Sequence, residues 1–150
     1  SGIWRNFYLS GALELRQGVE QLPNALAPKE ALLRGVSLAD FIDAMAVRLD
    51  GEAAAESNIE LGIHFTDLDS HWLLSVSNGV LHGLPNRKSE DPDVSLTLTS
   101  NDFKFLLSGL VGAPTMISEG RLKMSGNPLT LIRFAGLFDQ FDSNFNIVTP

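Results

Sequence analysis

Three histidines, His64, His71 and His82, are the side chains best suited to hold a metal or move a proton near neutral pH. Their spacing gives neither H-x-H nor H-E-x-x-H, so the short zinc signatures fail, and a surface or hydrogen-bonding role is expected for each. Asp67 and Asp69 resemble a fragment of a calcium loop, but the remaining ligands and closing Glu of an EF-hand are missing, and a plain Asx turn is expected. Asp139 and Asp142 share a helix face at i, i+3, where paired carboxylates can do acid–base work; beside an apolar stripe they are expected to solvate it instead. Gly109-x-x-Gly112 and the Gly120 to Gly126 stretch lack the G-K-[ST] of a phosphate loop, and Ser108, Ser118 and Ser125 lie in no G-x-S-x-G elbow. The chain has no cysteine, which excludes disulfides, thiolate metal sites and thiol nucleophiles. No catalytic residue, metal ligand or cofactor site is expected in these 150 residues.

What the sequence offers instead is apolar surface. Phe103, Leu106, Leu107, Met116, Ile117, Leu131, Phe134 and Phe138 come from three helical segments of the last third, and Phe65, Trp72 and Leu74 from the strands they face. These eleven are the candidate ligand-binding residues. For any one of them a place in a filled core is the plainer reading. Together they also suit a cavity for an aliphatic chain, which gains roughly 0.8 kcal/mol for each methylene it buries.

The elements that must position them follow from periodicity. Trp4, Phe7, Tyr8, Leu9, Leu13 and Leu15 read as a helix with apolar residues on more than one side, ending near Gly18 and followed by a linker at Leu22-Pro23-Asn24. Such a helix wants cover, either from an upstream domain whose tail it is, or from its own domain or a dimer partner. Pro28 starts a short helix through Leu33. Ser37 caps a longer one carrying Leu38, Phe41, Ile42, Met45 and Leu49 in one stripe, with Asp40 completing a near capping box and Gly51 as the stop. The period then changes to two, with strands around Ile59–Phe65, Trp72–Val76, Val80–Leu81 and Val94–Leu98 and a hairpin at Asn78-Gly79, so residues 59–99 read as an antiparallel meander. Ser100 caps a helix through Phe103, Leu106, Leu107, Leu110 and Val111. After a short segment from Pro114 to Ser118, Leu122 and Met124 mark a fifth strand, and a final helix carries Leu131, Phe134, Phe138, Phe141 and Phe145. The fold class expected is α+β, a five-stranded, mostly antiparallel sheet covered on one face by helices.

Composition sets the outer bounds. A chain of 150 residues and 16.3 kDa is one domain, or one domain with a short appendage. A net charge of −7 repels phosphate backbones and argues against nucleic acid as a partner. Residues 51–100 hold two basic and eight acidic side chains, so −6 of the −7 resides there, and the last third is neutral. No apolar run has the length of a membrane span and no signal-peptide pattern opens the chain; Ser1-Gly2 reads as a cloning scar. The compartment, periplasmic or cytoplasmic, is left open.

In their order, the run 93–99 (DVSLTLT), the helix 101–109, the run 119–127 (EGRLKMSGN) and the helix 129–138 resemble the sterol carrier protein type 2 family, over about 110 residues from Ser37 onward. Residues 4–16 (WRNFYLSGALELR) and 145–150 (FNIVTP) are in turn similar to stretches of bacterial alkyl sulfatases. Those are zinc hydrolases of the metallo-β-lactamase fold with a catalytic, a dimerisation and a C-terminal sterol-carrier-like domain. The resemblance implies that residues 1–22 are the remnant of the dimerisation domain and its linker, and 23–150 the lipid-binding domain. The H-x-H-x-D-H zinc motif is absent, so zinc and catalysis are expected only in a catalytic domain outside this sequence. The implied ligands are a long-chain alkyl sulfate, a fatty acid or a similar aliphatic molecule. The implied protein partners are the catalytic and dimerisation domains and a second copy of the chain. The alternatives are a structural, dimer-supporting module with a filled core and a standalone lipid or sterol carrier.

Overall fold

A computed structural model describes residues 1–18 and 30–139. The chain divides into two compact units, Ser1–Ala27 with Gln140–Pro150, and Pro28–Asp139. In the first unit α1 (Gly2–Gln17) is capped by the Ser1 hydroxyl, which accepts from the Trp4 N–H, and ends at Gly18, where φ is 76°. Its Ile3, Trp4, Phe7, Tyr8, Leu9, Leu13 and Leu15 are all exposed. The linker at Leu22-Pro23-Asn24, the helix start at Pro28, and Phe141, Asp142 and the 145–150 stretch lie outside the described residues.

The second unit runs α2 (Glu30–Gly35), α3 (Leu38–Val47), β1 (Ile59–Phe65), β2 (Ser70–Ser77), β3 (Val80–Pro85), β4 (Val94–Leu98), α4 (Ser100–Leu107), α5 (Ala113–Ser118), β5 (Lys123–Gly126) and α6 (Pro128–Ala135). The sheet order is β3-β2-β1-β4-β5. Side chains alternate across a strand, and the registers Ile59↔Val76, Leu61↔Leu74 and Ile63↔Trp72, with Ile63↔Leu96, put the large apolar residues in rows on one face. Asn78 and Gly79 both take positive φ, 51° and 72°, in the two-residue turn that the twist of a hairpin favours. A side chain at Gly79 would also meet the Gly51 carbonyl oxygen at 2.7 Å.

The sheet is α+β and mostly antiparallel, yet residues 59–99 do not form a meander. Strand β4 leaves β3 and pairs with β1 in parallel. Val94, Leu96 and Leu98 are almost wholly buried, whereas β3 buries only Leu81, so the more apolar strand takes the interior place and the less apolar one the edge. The connection 86–93 crosses the outer face to make this possible.

Helix ends also depart from periodicity. Helix α3 stops at Val47 and α6 at Ala135, so Leu49 and Phe138 are not helical; they face each other in an isolated antiparallel bridge. There Asp50 N–H donates to the Leu137 carbonyl and Asp139 N–H to the Arg48 carbonyl, each at 2.8 Å, offering the backbone partners that another helical turn would otherwise supply. Helix α4 is capped by Thr99, with Ser100 inside it, and it ends at Leu107 before Leu110 and Val111 because Gly109 turns to φ 73°. Ser37 caps α3 as expected, its hydroxyl accepting from Asp40 N–H at 3.1 Å and donating to Asp40 Oδ2 at 2.7 Å.

Candidate functional site

The helix-facing side of the sheet carries one continuous apolar cluster. Phe65 on β1, Leu74 on β2, Phe103 on α4, Met116 on α5 and Phe134 on α6 have no exposed surface, and Leu131 is buried beside them. Trp72, Leu106, Leu107 and Phe138 are half-buried against this cluster. Ile117 stands apart, 47% exposed, because the short helix α5 turns only Met116 inward. The rings meet edge to face: Phe65–Phe103 at 5.5 Å between centroids, Phe41–Phe103 at 6.1 Å, Phe65–Trp72 at 6.5 Å and Phe134–Phe138 at 5.1 Å.

A side chain bordering a void the size of a water keeps surface that a water can touch. Phe103, Met116 and Phe134 keep none, so at these positions the space between sheet and helices is filled. Met116 is the one buried residue of α5; Gly112 caps the helix without a side-chain hydrogen bond, and Gly120 follows with φ 71°. Behind α5, Arg121 donates to Asp102 from Nε at 3.1 Å and from Nη2, and to Glu119 from Nη1 at 2.9 Å. The Asp102 bonds, with those of Glu119, hold the guanidinium charged above its ordinary range. This clamp joins α4 to Glu119, the C-cap of α5, and to the start of the β5 segment.

Buried polar groups on α4 are all partnered. Lys104 donates to the Val36 carbonyl at 2.8 Å; burial lowers its pKa, opposed by Asp67 and reinforced by Arg34. Asp67 accepts from the Ser100 hydroxyl at 2.6 Å and the Ser100 N–H at 2.8 Å, so it braces the N-terminus of α4 instead of belonging to a calcium loop. Burial raises its pKa, but the Ser100 bonds and Lys104 together outweigh that and lower it. A carboxylate lowered in the folded state stabilises fully above its unfolded value, about 4, and loses that contribution as pH falls through the folded value. Asp67→Asn should therefore reduce stability at pH 7 by about 1 kcal/mol, in line with an exposed charged hydrogen bond. The difference in thermal midpoint from the parent should close as pH falls through the lowered folded value; a gap independent of pH would contradict this role.

Among the described residues no group of three or more His, Asp or Glu side chains converges to hold a metal, so they do not fit a zinc centre. His82 lies exposed on β3, while His64 and His71 face each other across β1 and β2. Sequence reasoning missed what surrounds this pair, because the polar run 85–92 shows no sign that it folds over the outer face. Among the described residues no helix is long and apolar enough to cross a membrane.

Comparison with known proteins agrees with this architecture. A linear primary-alkylsulfatase of Pseudomonas sp. is 37% identical over 150 residues, covering 100% of this chain and 22% of its own length. The solved stereoselective inverting sec-alkylsulfatase Pisa1 of Pseudomonas sp. superposes with a TM-score of 0.74 at 32% identity, over 96% of this chain and 22% of that one. The UbiJ-SCP2 ubiquinone synthesis protein shares the fold, with a TM-score of 0.55 at 16% identity over 67% of this chain and 90% of that one. The chain thus spans 22% of the length of the alkylsulfatases it matches. Residues 27–150 match the family model described as alkyl sulfatase C-terminal. With its sterol-carrier-like sheet and helices, this chain belongs to the alkyl sulfatase C-terminal family.

Proposed function

We propose that this chain is a non-catalytic module that binds the aliphatic part of a long-chain alkyl sulfate and brings it to a zinc hydrolase domain elsewhere in a longer protein. The observation that supports this most is the helix side of the core. Leu106, Leu107, Val111 and Ala113 pack on the cluster while remaining partly exposed, and Leu110 and Ile117 are exposed beside them. A groove of about 180 Å³ adjoins this band, lined by Glu30, Phe105, Leu110, Val111 and Arg121. An alkyl chain enters by displacing Met116 as α5 swings on its flanking glycines. Burying about eight methylenes yields roughly 6 kcal/mol. Undocking one buried methionine costs about 2–5 kcal/mol, so the exchange is favourable for a long chain and not for a short one.

One observation favours a second reading, a structural module with a permanently filled core: Phe65, Phe103, Met116 and Phe134 leave no void between them. The two readings part on titration with dodecyl sulfate below its micellar concentration. The binding module shows saturable uptake and a raised thermal midpoint. The structural module shows neither.

A further inference from the structure

The outer face of the sheet, opposite the apolar interior, holds a cleft of about 220 Å³. Its floor is made by His64, His71, Ser95 and Thr97, outward positions of β1, β2 and β4. Its wall is the 86–93 connection, through Arg87 and Lys88. Gly62 lets the wall approach the floor, since a Cβ there would stand 3.2 Å from Pro92 Cγ.

The charges are unevenly used. Arg87 and Lys88 are the only basic residues between positions 51 and 100, a stretch with eight carboxylates, and both line this cleft. Neither forms an ion pair among the described residues. The neighbouring acids are turned to other work: Glu60 accepts from the Ser89 hydroxyl at 2.9 Å, and Asp93 accepts from the Glu60 N–H at 2.8 Å. Asp69, fully exposed, comes only to 3.6 Å from His64 Nε2, and Glu90 and Asp91 do not line the cleft. The His64 and His71 rings meet edge to face, 4.4 Å between centroids. His71 Nδ1 is buried and has no hydrogen-bond partner among the described residues. Burial, then Lys88 and His64, lowers the His71 pKa against the opposing pull of Asp69. An acidic segment thus gathers its two cations, two imidazoles and two free hydroxyls around one concavity.

We propose that this cleft binds a sulfate oxyanion, held by Arg87 and Lys88 from the wall and by the Ser95 and Thr97 hydroxyls from the floor, beside the His64 and His71 rings. That the anion is sulfate rests on the proposed function; the charge arrangement itself does not. Two sources share the chemistry, free sulfate and the head group of a sulfate monoester.

The test follows the ring resonances of His64 and His71 in the whole chain by NMR as sodium sulfate, methyl sulfate or sodium chloride is added at matched ionic strength. A saturable displacement of the His71 resonances by sulfate or methyl sulfate, absent with chloride, is expected. A larger affinity for methyl sulfate assigns the ester head group, and a larger affinity for sulfate assigns the free anion. In Arg87→Ala/Lys88→Ala, which alters exposed side chains only, the affinity should fall about tenfold. No saturable displacement, an equal response to chloride, or unchanged affinity in the double variant overturns the inference. Because neither probe carries a long tail, failure here leaves the aliphatic reading standing, and failure of that reading leaves this one standing.

Discussion

Phe103→Ala is expected to lower the free energy of unfolding by about 3–5 kcal/mol, the range for removing a fully buried phenylalanine. The ring has no exposed surface and meets both Phe41 and Phe65 edge to face, at 6.1 and 5.5 Å between centroids. Each such pair contributes about 0.5–1.5 kcal/mol beyond the area it buries. Against the roughly 5–15 kcal/mol that holds a domain of ordinary stability, the loss is a large fraction of the whole. Urea unfolding measures it through the midpoint, with an unchanged slope if the transition stays cooperative. The value also reports on the interior. A close-packed site cannot collapse around the deleted ring and loses the full amount, whereas a site already bordering a void would lose about 1.5–3 kcal/mol for the transfer of the ring alone. A small loss would therefore contradict the filled interior.

The second large effect is in binding. Across a series from hexyl to dodecyl sulfate, each methylene buried should tighten affinity about fourfold, from roughly 0.8 kcal/mol apiece. Six methylenes then amount to about three and a half orders of magnitude. The cost of displacing Met116 and the contribution of the head group are common to every member and cancel in the comparison. Calorimetry below each surfactant's micellar concentration reads the series directly. A flat series would mean that only the head group is held, which contradicts aliphatic binding while remaining compatible with the outer cleft.

Local features of this fold were legible in the sequence. Asn78-Gly79 announced its hairpin because both residues tolerate positive φ, and Ser37 with Asp40 announced the start of α3 because the cap needs only neighbouring atoms. The alternation of Ile59, Leu61, Ile63 and Phe65 identified the inner face for the same reason. What stayed hidden depends on distant partners. Nothing within 94–98 says that β4 pairs with β1 rather than β3; that follows from which strand has more apolar surface to bury on both flanks. Leu49 and Phe138 continue their helical stripes in sequence, but backbone donors and acceptors at Arg48, Asp50, Leu137 and Asp139 find each other instead.

The candidate site divides along the same line. Phe65, Leu74, Phe103, Met116, Leu131 and Phe134 are gathered in one buried cluster. Ile117 is not, because a helix of two turns has room for one inward side chain, and Met116 takes it. The outer cleft was invisible to charge counting, since the acidic balance of residues 51–100 conceals that Arg87 and Lys88 fold back over two histidines. An apolar cluster and an open cleft lined by two cations thus lie on the two faces of a single sheet.

If an alkyl chain enters beneath α5, Met116 is the residue that must move. Its methyl resonance, resolved from those of Met45 and Met124 by labelling the methionines with carbon-13, reports that movement directly. As dodecyl sulfate is added below its micellar concentration, the Met116 signal should shift saturably and lose its contacts to the surrounding core, while Met45 on α3 is unchanged and inorganic sulfate has no effect on either. A Met116 signal that keeps its position and its contacts throughout would contradict the account and leave the domain as a filled structural module.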